Sequence, residues 1–500
     1  MRKVIEPQMK LGELAIANIK LDPKSRDDIP QILRGLQHIY TTPEVREQIF
    51  GILKEVLPVR QIEGKTVKAD PDNGRPGMTQ WQILVLGVLR LGLNADYDRI
   101  LELANEHQTL RQMLGHSDWA DKKYYNLQTL KDNLRLFTPE VLDRLNRVIV
   151  QAGHQALKKS PEVGIVGRCD SFVVETDVHF PTDINLLLDA IRKVIEICAE
   201  LSSTNNLPGW RQHHYHQRQF KRQYRKVQQL KRSTSKDETK KQQKEQEIQE
   251  AHRIYLDLAE VNLAKADQTR QQVSPYDPLS MAWLSVLDNF MGHARRQIDQ
   301  IDRRVLQGER IPHEEKVFSL FEPHTEWISK GKAGVPVELG LRVCIMEDQD
   351  RFILHHRVMA KITDDKVAFA MVGETKQKFS ALRAVSMDKG FYSPANQEVL
   401  GSRLECVVLP QKGRLSQADK DRENDPEFVK LRKQHSAVES AINALEVHGL
   451  DKCPDHGLHG FKRYIAMAVV ARNIQRLGAV LRQQEKEAAQ RKRGSYQKAA

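Results

Sequence analysis

Strand-like segments lie on both sides of a long helical stretch, and this order limits the fold more than any other feature of the sequence. Residues 164–170 and 172–176 are rich in Val and other residues that favour strands. From 185 to 307 apolar residues recur at helical spacing, and 335–345 and 352–359 then flank a polar turn, as in a hairpin. The sequence therefore predicts an α/β unit that a helical insertion interrupts after its first strand or two.

The alternation of strands and helices continues towards the end of the chain. A helix is expected at 365–379 before a strand at 384–387, and another helix at 393–400 before a strand at 405–409. A block with helical periodicity then runs from 427 to 488. This order is typical of a sheet that carries helices on its faces.

The first 160 residues carry helical periodicity alone. Thr79 is a good N-cap for a segment that is apolar on nearly every side, from Ile83 to Leu91. Thr138 and Pro139 are the N-cap and the first residue of a further predicted helix, which ends near 157. The sequence therefore predicts an all-α region ahead of the α/β unit.

Positive charge exceeds negative charge along the chain and is concentrated in one helical segment. Lys and Arg total 78 against 66 Asp and Glu, for a net charge of +12, which favours a polyanionic partner such as nucleic acid. Residues 210–236 hold nine of these cations, no acid and four aromatic residues. Two compatible interpretations are open: a solvated face of a helical hairpin that pairs with 243–270, or a surface that tracks phosphates with aromatic contacts. The cations expected to bind DNA are Arg218, Lys221, Arg222, Arg225 and Lys226.

Nothing in the composition indicates a membrane or a secreted protein. The longest apolar run, 81–93, is interrupted by Gln82 and Arg90 and is shorter than the ~20 residues that cross a bilayer. The first residues lack the apolar segment of a secretory signal. The five cysteines are far apart in sequence, as in a protein of a reducing compartment. We therefore expect a cytoplasmic protein with no membrane partner.

Three acids have positions that suit a divalent metal site. Asp170 and Asp388 each follow a predicted strand, and strand ends present side chains to a crevice at the edge of an α/β sheet. Glu439 lies in a predicted helix, on a polar stripe with His435 beside the buried face. Mg²⁺ prefers such carboxylate oxygens, and a pair of metal ions can promote phosphoryl transfer. From spacing alone, the alternative that these acids cap turns or face solvent stays open.

Four sequence blocks resemble one protein family in the order in which that family carries them. Residues 170–183, beginning Asp-Ser-Phe-Val-Val-Glu-Thr-Asp, resemble the first-aspartate block of bacterial insertion-sequence DDE transposases, the ISNCY group and its relatives. Residues 387–394, Met-Asp-Lys-Gly-Phe-Tyr-Ser-Pro, are similar to the second-aspartate block. The glutamate block is matched by 435–446, with 459–464 behind it, and 74–79 resembles part of the N-terminal domain of these enzymes.

The resemblance implies an RNase H-like catalytic core in which Asp170, Asp388 and Glu439 are the catalytic, metal-binding residues. The metal it implies is Mg²⁺, with Mn²⁺ able to substitute. The implied chemistry is cleavage of DNA at the ends of a mobile element, followed by attack of a 3′-hydroxyl on target DNA. The expected partners are therefore double-stranded DNA, as element ends and as target, and further copies of the chain in a homo-oligomer, most simply a dimer.

Residues beside the three acids are expected to contact DNA. Lys389 and Tyr392 follow the second Asp closely enough to touch the scissile strand. Related enzymes often carry Arg four residues before the Glu and Lys seven residues after it, where this chain has His435 and Glu446. His435 is expected to contact DNA or to orient Glu439.

The order of segments and the resemblance together give the expected domain boundaries. They are a helical N-terminal DNA-binding domain at 1–160, the first part of the RNase H-like core at 161–184, a helical basic insertion at 185–325, the remainder of the core at 326–480, and a basic, disordered tail at 481–500. The predicted fold class is α/β, with an RNase H-like core interrupted by a large α-helical insertion and preceded by an all-α N-terminal domain.

Two other functions and one other metal site stay open on the sequence. A metal-dependent DNA nuclease of the same fold would cleave without strand transfer, and a catalytically inactive derivative would only bind DNA. His448, Cys453, His456 and His459 offer zinc ligands, although their spacing matches no structural zinc motif. The absence of a phosphate-cradling G-x-x-x-x-G-K-[ST] motif agrees with an exchange of phosphodiesters that needs no ATP.

Overall fold

The computed structural model of the chain divides into two compact units, each described here by itself. It describes all residues except 1, 7, 10, 63–64, 74–76, 118–123, 159–163, 232–237, 275–276, 330–335 and 500. The larger unit contains Met1–Asp177 and Ile328–Ala500, and the helical unit contains Val178–Trp327. None of the helices in the described ranges combines the length and the apolar composition needed to cross a bilayer.

The N-terminal part of the larger unit is mostly helical. Its helices are α1 (Asp28–Thr41), α2 (Pro43–Leu53), α3 (Gln80–Gly92), α4 (Tyr97–Glu106), α5 (Gln108–Met113), α6 (Leu127–Leu134) and α7 (Pro139–Ala156). As predicted, Thr79 caps α3, and it does so through a capping box with Gln82. Every residue of α3 is buried, so this helix needs cover on all sides, and α1, α6 and α17 (Gly457–Ala499) supply it.

The prediction of an all-α N-terminal region is wrong. Strands β1 (Val59–Ile62) and β2 (Lys65–Lys68) form an antiparallel hairpin within it. These strands are only four residues long, a signal too short to stand out beside strong helical periodicity. Nor do the helices build a core of their own, because their buried side chains belong to one apolar cluster that continues into the sheet and α17.

A mixed sheet lies at the centre of the larger unit. Its strands are β3 (Ile165–Thr176), β4 (Glu326–Ser329), β5 (Val337–Asp348), β6 (Ile353–Met359), β7 (Leu382–Met387), β8 (Cys406–Val408) and β9 (Lys452–Cys453). β3 pairs antiparallel with β5 on one side and parallel with β7 on the other. β6 continues the antiparallel side, β8 continues the parallel side, and β9 pairs with the last residues of β3. The chain is therefore of mixed α/β class.

The first predicted strand is longer than expected. A strand end is predicted at Asp170, but β3 continues without a break to Thr176. Its pairing with β7 nevertheless ends at the Cys169–Met387 pair, so Asp170 is the first residue beyond the parallel ladder. The single polar pair Asp170 and Ser171 interrupts the apolar pattern without interrupting the strand, because β5 pairs with both residues.

The remaining helices of the larger unit lie between or after the strands of this sheet. They are α12 (Asp364–Lys378), α13 (Pro394–Gly401), α14 (Gln417–Glu423), α15 (Pro426–His435), α16 (Ala437–Leu445) and α17. The strand and helix positions predicted between 365 and 409 are confirmed to within two residues. In the structure α17 continues to Ala499, through the segment at 481–500 that was expected to be a disordered tail. That segment lacks Pro and is rich in Ala, Glu, Gln, Lys and Arg, which favour helices.

The helical unit is built from four long helices around a separate apolar core. They are α8 (Asp183–Thr204), α9 (His213–Lys231), α10 (Glu238–Gln272) and α11 (Pro278–Ile301). The expected pairing of the basic helix with the following one is confirmed, because α9 packs along α10. The ring of Phe220 on α9 stacks on that of Tyr255 on α10, with centroids 4.6 Å apart.

Two glycines allow α1 and α17 to approach closely, which gives a first test of the fold. A Cβ atom on Gly478 would lie 1.9 Å from the backbone oxygen of Gln31, and one on Gly35 would lie 2.3 Å from that of Ile474. We expect Gly478→Ala to lower the free energy of unfolding by about 1–3 kcal/mol, because backbone atoms must move apart. The matched control is Gly51→Ala in α2, where a Cβ meets nothing within 4 Å and helix propensity alone should stabilise the protein. Urea unfolding of both variants checks this, and equal effects would contradict the close crossing.

Candidate functional site

The pairing of β3 with β7 brings the two predicted aspartates together. Asp170 and Asp388 directly follow Cys169 and Met387, the last paired residues of these neighbouring parallel strands. Neighbouring strands lie about 4.8 Å apart, so the two carboxyl groups start from adjacent backbone positions. Asp388 is exposed and Asp170 is half-buried.

Glu439 reaches the same place from a helix. It lies in the first turn of α16, whose buried residues Val438, Ala441 and Leu445 anchor the helix, and α16 packs on β3. Burial, together with the charges of Asp388, Asp364 and Glu439, raises the pKa of Asp170 to about 6, although the backbone N–H of Ser171 donates to this carboxylate. The three predicted acids therefore lie within electrostatic range of one another.

Asp364 is a fourth acid at the site, and it was not predicted from the sequence. It lies in the first turn of α12, and its Oδ1 accepts a hydrogen bond of 2.7 Å from the hydroxyl of Ser171. In sequence it is one of two acids at the start of a helix, which is an ordinary position for an acid because of the helix dipole. No sequence signal distinguishes it, because its contact with Ser171 joins segments that are far apart in the sequence.

His435 lies beside the acids rather than on a continuous stripe with Glu439. α15 ends at His435 and α16 begins at Ala437, so the predicted single helix through both residues is wrong. The His435 Nδ1 lies 3.1 Å from the hydroxyl of Ser386. Burial lowers the pKa of His435, while the nearby charges of Asp388 and Glu439 raise it and that of Arg168 lowers it. The net shift is downward, so the imidazole is neutral at pH 7.

The two residues expected to touch DNA after the second Asp differ in exposure. Lys389 is exposed in a short turn that follows Asp388. Tyr392 is half-buried and packs against the apolar core of the larger unit, so part of its role is structural. Phe391 between them is fully buried and holds the turn in place.

The five predicted DNA-binding cations of α9 are all exposed. They are Arg218, Lys221, Arg222, Arg225 and Lys226, and among the described residues no carboxylate pairs with any of them. The aromatic residues of this segment mostly have another role. Trp210 and Phe220 are buried in the core of the helical unit, so the interpretation of them as base contacts is wrong. Their spacing is that of an inward helix face, which explains the error.

A different group of side chains meets the distance expected for a single cation. In the described part of the chain, the ligand atoms of His154, Asp348 and Asp350 all lie within 4.8 Å of one another, so this cluster is a possible metal site. Its central carboxylate is already engaged: Asp348 Oδ2 lies 2.6 Å from His154 Nε2, and Oδ1 accepts from the backbone N–H groups of Asp350 and Phe352. These bonds fix the turn between β5 and β6 against α7, which is a structural role.

The metal sites predicted from the sequence do not satisfy the same distance criterion. Among the described residues, the ligand atoms of two predicted sets are not all within 4.8 Å of one another. These sets are Asp170, Asp388 and Glu439, and the candidate zinc ligands His448, Cys453, His456 and His459. Four carboxylates within electrostatic range repel one another unless a cation lies between them, and this repulsion adds to burial, the larger cause, in raising the pKa of Asp170. Their all-oxygen donor set suits Mg²⁺ or Mn²⁺.

Comparison of the chain with protein-family models, with curated proteins and with solved structures gave no match.

Proposed function

We propose that this chain is the DNA transposase of a bacterial insertion sequence, which cleaves the ends of its element and joins the 3′-hydroxyl ends to target DNA. The observation that carries the proposal is the meeting of Asp170, Asp388, Glu439 and Asp364 where β3 and β7 stop pairing. The strand order β6-β5-β3-β7-β8, antiparallel on one side of β3 and parallel on the other, supports an RNase H-like core within the α/β architecture.

The acids of this site would bind divalent metal ions through carboxylate oxygens. Asp170, Asp388 and Glu439 would hold Mg²⁺, with Mn²⁺ as a substitute, and the bound cation supplies charge stabilisation and an activated oxygen nucleophile for phosphoryl transfer. Asp388 and Glu439 are exposed, so a DNA strand has access to them. Neutral His435, held by Ser386 through Nδ1, presents Nε2 for a hydrogen bond to DNA.

The proposal assigns DNA contact to both units. Lys389 beside the acids and the exposed cations of α9 would neutralise phosphates, and the net charge of +12 supports a polyanionic partner. The active species would be a homo-oligomer, most simply a dimer that holds two element ends. No ATP is required, because one phosphodiester is exchanged for another.

The α9 assignment predicts salt-dependent DNA affinity. Arg222→Gln combined with Arg225→Gln should make the slope of log affinity against log salt shallower by about two, because each cation releases roughly one counterion on binding. The loss should be similar for all DNA sequences, since phosphate contacts carry no base information. The matched control is Arg296→Gln with Arg310→Gln, two exposed cations of the same unit. Fluorescence anisotropy over a salt series checks this, and equal slopes in both double variants would remove α9 from the DNA surface.

The test of the proposed function is a product assay. Purified protein is incubated with labelled duplex made from the DNA that flanks its gene, in Mg²⁺, in Mn²⁺ and in EDTA. Nicked and joined products that depend on the metal are the expected result. Metal-dependent cleavage without joined products would instead identify a nuclease of the same fold. Binding that persists in EDTA, with no cleavage in either metal, would identify an inactive DNA-binding derivative.

A further inference from the structure

A basic cleft lies in the larger unit, apart from the acids. It has a volume of about 800 Å³ and is bounded by α3, α4, α6, the segment around β9 and the start of α17. Its cationic lining residues are Arg90, Lys131, Arg135, Lys452 and Arg463. The rings of Tyr97 and Tyr464 form part of its wall.

The cleft has more cations than its acids can pair with. Five Lys and Arg face three acids, Asp96, Asp177 and Asp455. The Asp96 side chain caps α4 through the N–H of Arg99, and Asp177 pairs with Lys452 at 2.6 Å. Asp455 is shared, at 2.7 Å from Arg463 and 3.6 Å from Arg90. Among the described residues no carboxylate pairs with Lys131 or Arg135.

Arg90 is a buried guanidinium with hydrogen-bonding capacity to spare. It is only 7% exposed, and its Nε has no hydrogen-bond partner among the described residues. Its guanidinium carbon lies 4.2 Å from the ring centroid of Tyr97 and 5.3 Å from that of Tyr464. These contacts hold a planar cation at the cleft wall at a desolvation cost, which an anionic ligand would offset.

We propose that this cleft binds a backbone phosphate of the DNA strand whose scissile phosphate lies at the acids. This inference rests on the proposed function and adds a second, fixed contact point for the substrate. Lys452 pairs with Glu175 of β3, five residues beyond Asp170 in the same strand. At about 3.3 Å per residue the two places are about 17 Å apart. Phosphates of one duplex strand wind around the axis as they advance by about 3.4 Å per nucleotide, so phosphates about 17 Å apart are separated by about three nucleotides.

Charge removal at the cleft rim tests the contact. In Lys131→Gln with Arg135→Gln, the salt slope of binding to the flanking duplex should become shallower by about two. The control is Arg26→Gln with Lys20→Gln, which removes two exposed cations elsewhere in the same unit. If the two double variants have equal salt slopes and the wild type has a steep one, the cleft does not bind a DNA phosphate. The transposase proposal is unaffected by that result. A flat slope in the wild type itself would count against the transposase proposal.

A methylphosphonate scan tests the position. A single neutral linkage about three nucleotides from the mapped cut should weaken binding to the wild type and leave binding to the Lys131→Gln, Arg135→Gln protein unchanged. A scan with no sensitive linkage in that region overturns the inference. Thermal unfolding in inorganic phosphate tests whether the cleft binds free phosphate instead of a DNA phosphate. If free phosphate stabilises the wild type but not the variant, and no linkage is sensitive, the cleft binds free phosphate rather than DNA.

Discussion

Asp388→Asn is expected to abolish both cleavage and joining of the flanking duplex. The substitution removes a carboxylate that would hold the metal, and metal stabilisation of the transferring phosphate is worth several kcal/mol. The expected loss of rate is therefore roughly a thousand-fold or more, since each ~1.4 kcal/mol is tenfold. Because Asp388 is exposed and its charge repels that of Asp170, the variant should be at least as stable as the wild type, so lost activity cannot be attributed to lost folding. Single-turnover product formation in Mg²⁺ checks the prediction.

The fourth acid provides the matched control for this substitution. In Asp364→Asn the amide oxygen can still accept the hydrogen bond from the Ser171 hydroxyl, so the local geometry is kept. We expect this variant to retain cleavage and joining within about tenfold. If Asp364→Asn is as inactive as Asp388→Asn, Asp364 also binds metal and the set of ligands is larger than proposed. If Asp388→Asn remains fully active, the chemistry lies elsewhere, and His154 with Asp348 and Asp350 becomes the next site to test.

The positions of site residues could be predicted from the sequence where they depend on a short local pattern. Asp388 directly follows β7, and Glu439 lies next to buried Val438 in α16, so strand and helix periodicity predicted both positions, while their role as a metal site came from the family resemblance. The position of Asp170 was predicted for the wrong reason. It lies within a continuous strand, and the end of the ladder with β7, a tertiary feature, makes it part of the site.

Other parts of the molecule depend on contacts that no local pattern carries. Asp364 joins the site only because α12 starts beside Ser171, far away in the sequence. The strong periodicity of the helices before β3 predicts a separate domain. Periodicity does not indicate which other element covers the apolar faces of these helices. In the structure α17, from the other end of the chain, packs on α1, α3 and α7. The close approach of α1 and α17 requires glycine at positions such as Gly35 and Gly478, and glycine does not contribute to a pattern of apolar side chains.

Asp170→Asn is expected to stabilise the protein in EDTA while it abolishes activity. Burial and three neighbouring acids raise the pKa of Asp170 to about 6, above the ordinary value near 4. A carboxyl whose pKa rises on folding holds its proton more tightly in the folded state, so ionisation favours unfolding as the pH rises from about 4 to about 6. Above that range its cost is constant at about 3 kcal/mol, and below pH 4 it disappears. The variant should therefore be more stable than the wild type at pH 8 by about this amount, and equally stable at pH 4.

Urea unfolding at the two pH values, with and without Mg²⁺, measures this difference. Asp72→Asn, at an exposed acid outside the site, is the control and should change stability at neither pH. Mg²⁺ should stabilise the wild type more than the Asp170→Asn variant, because binding to the folded state alone adds to its stability. If the variant is more stable than the wild type in EDTA but not in Mg²⁺, the acids at β3 and β7 lower the folding stability and a bound cation restores it. A variant that is less stable than the wild type at pH 8 would contradict the electrostatic repulsion on which the metal assignment depends.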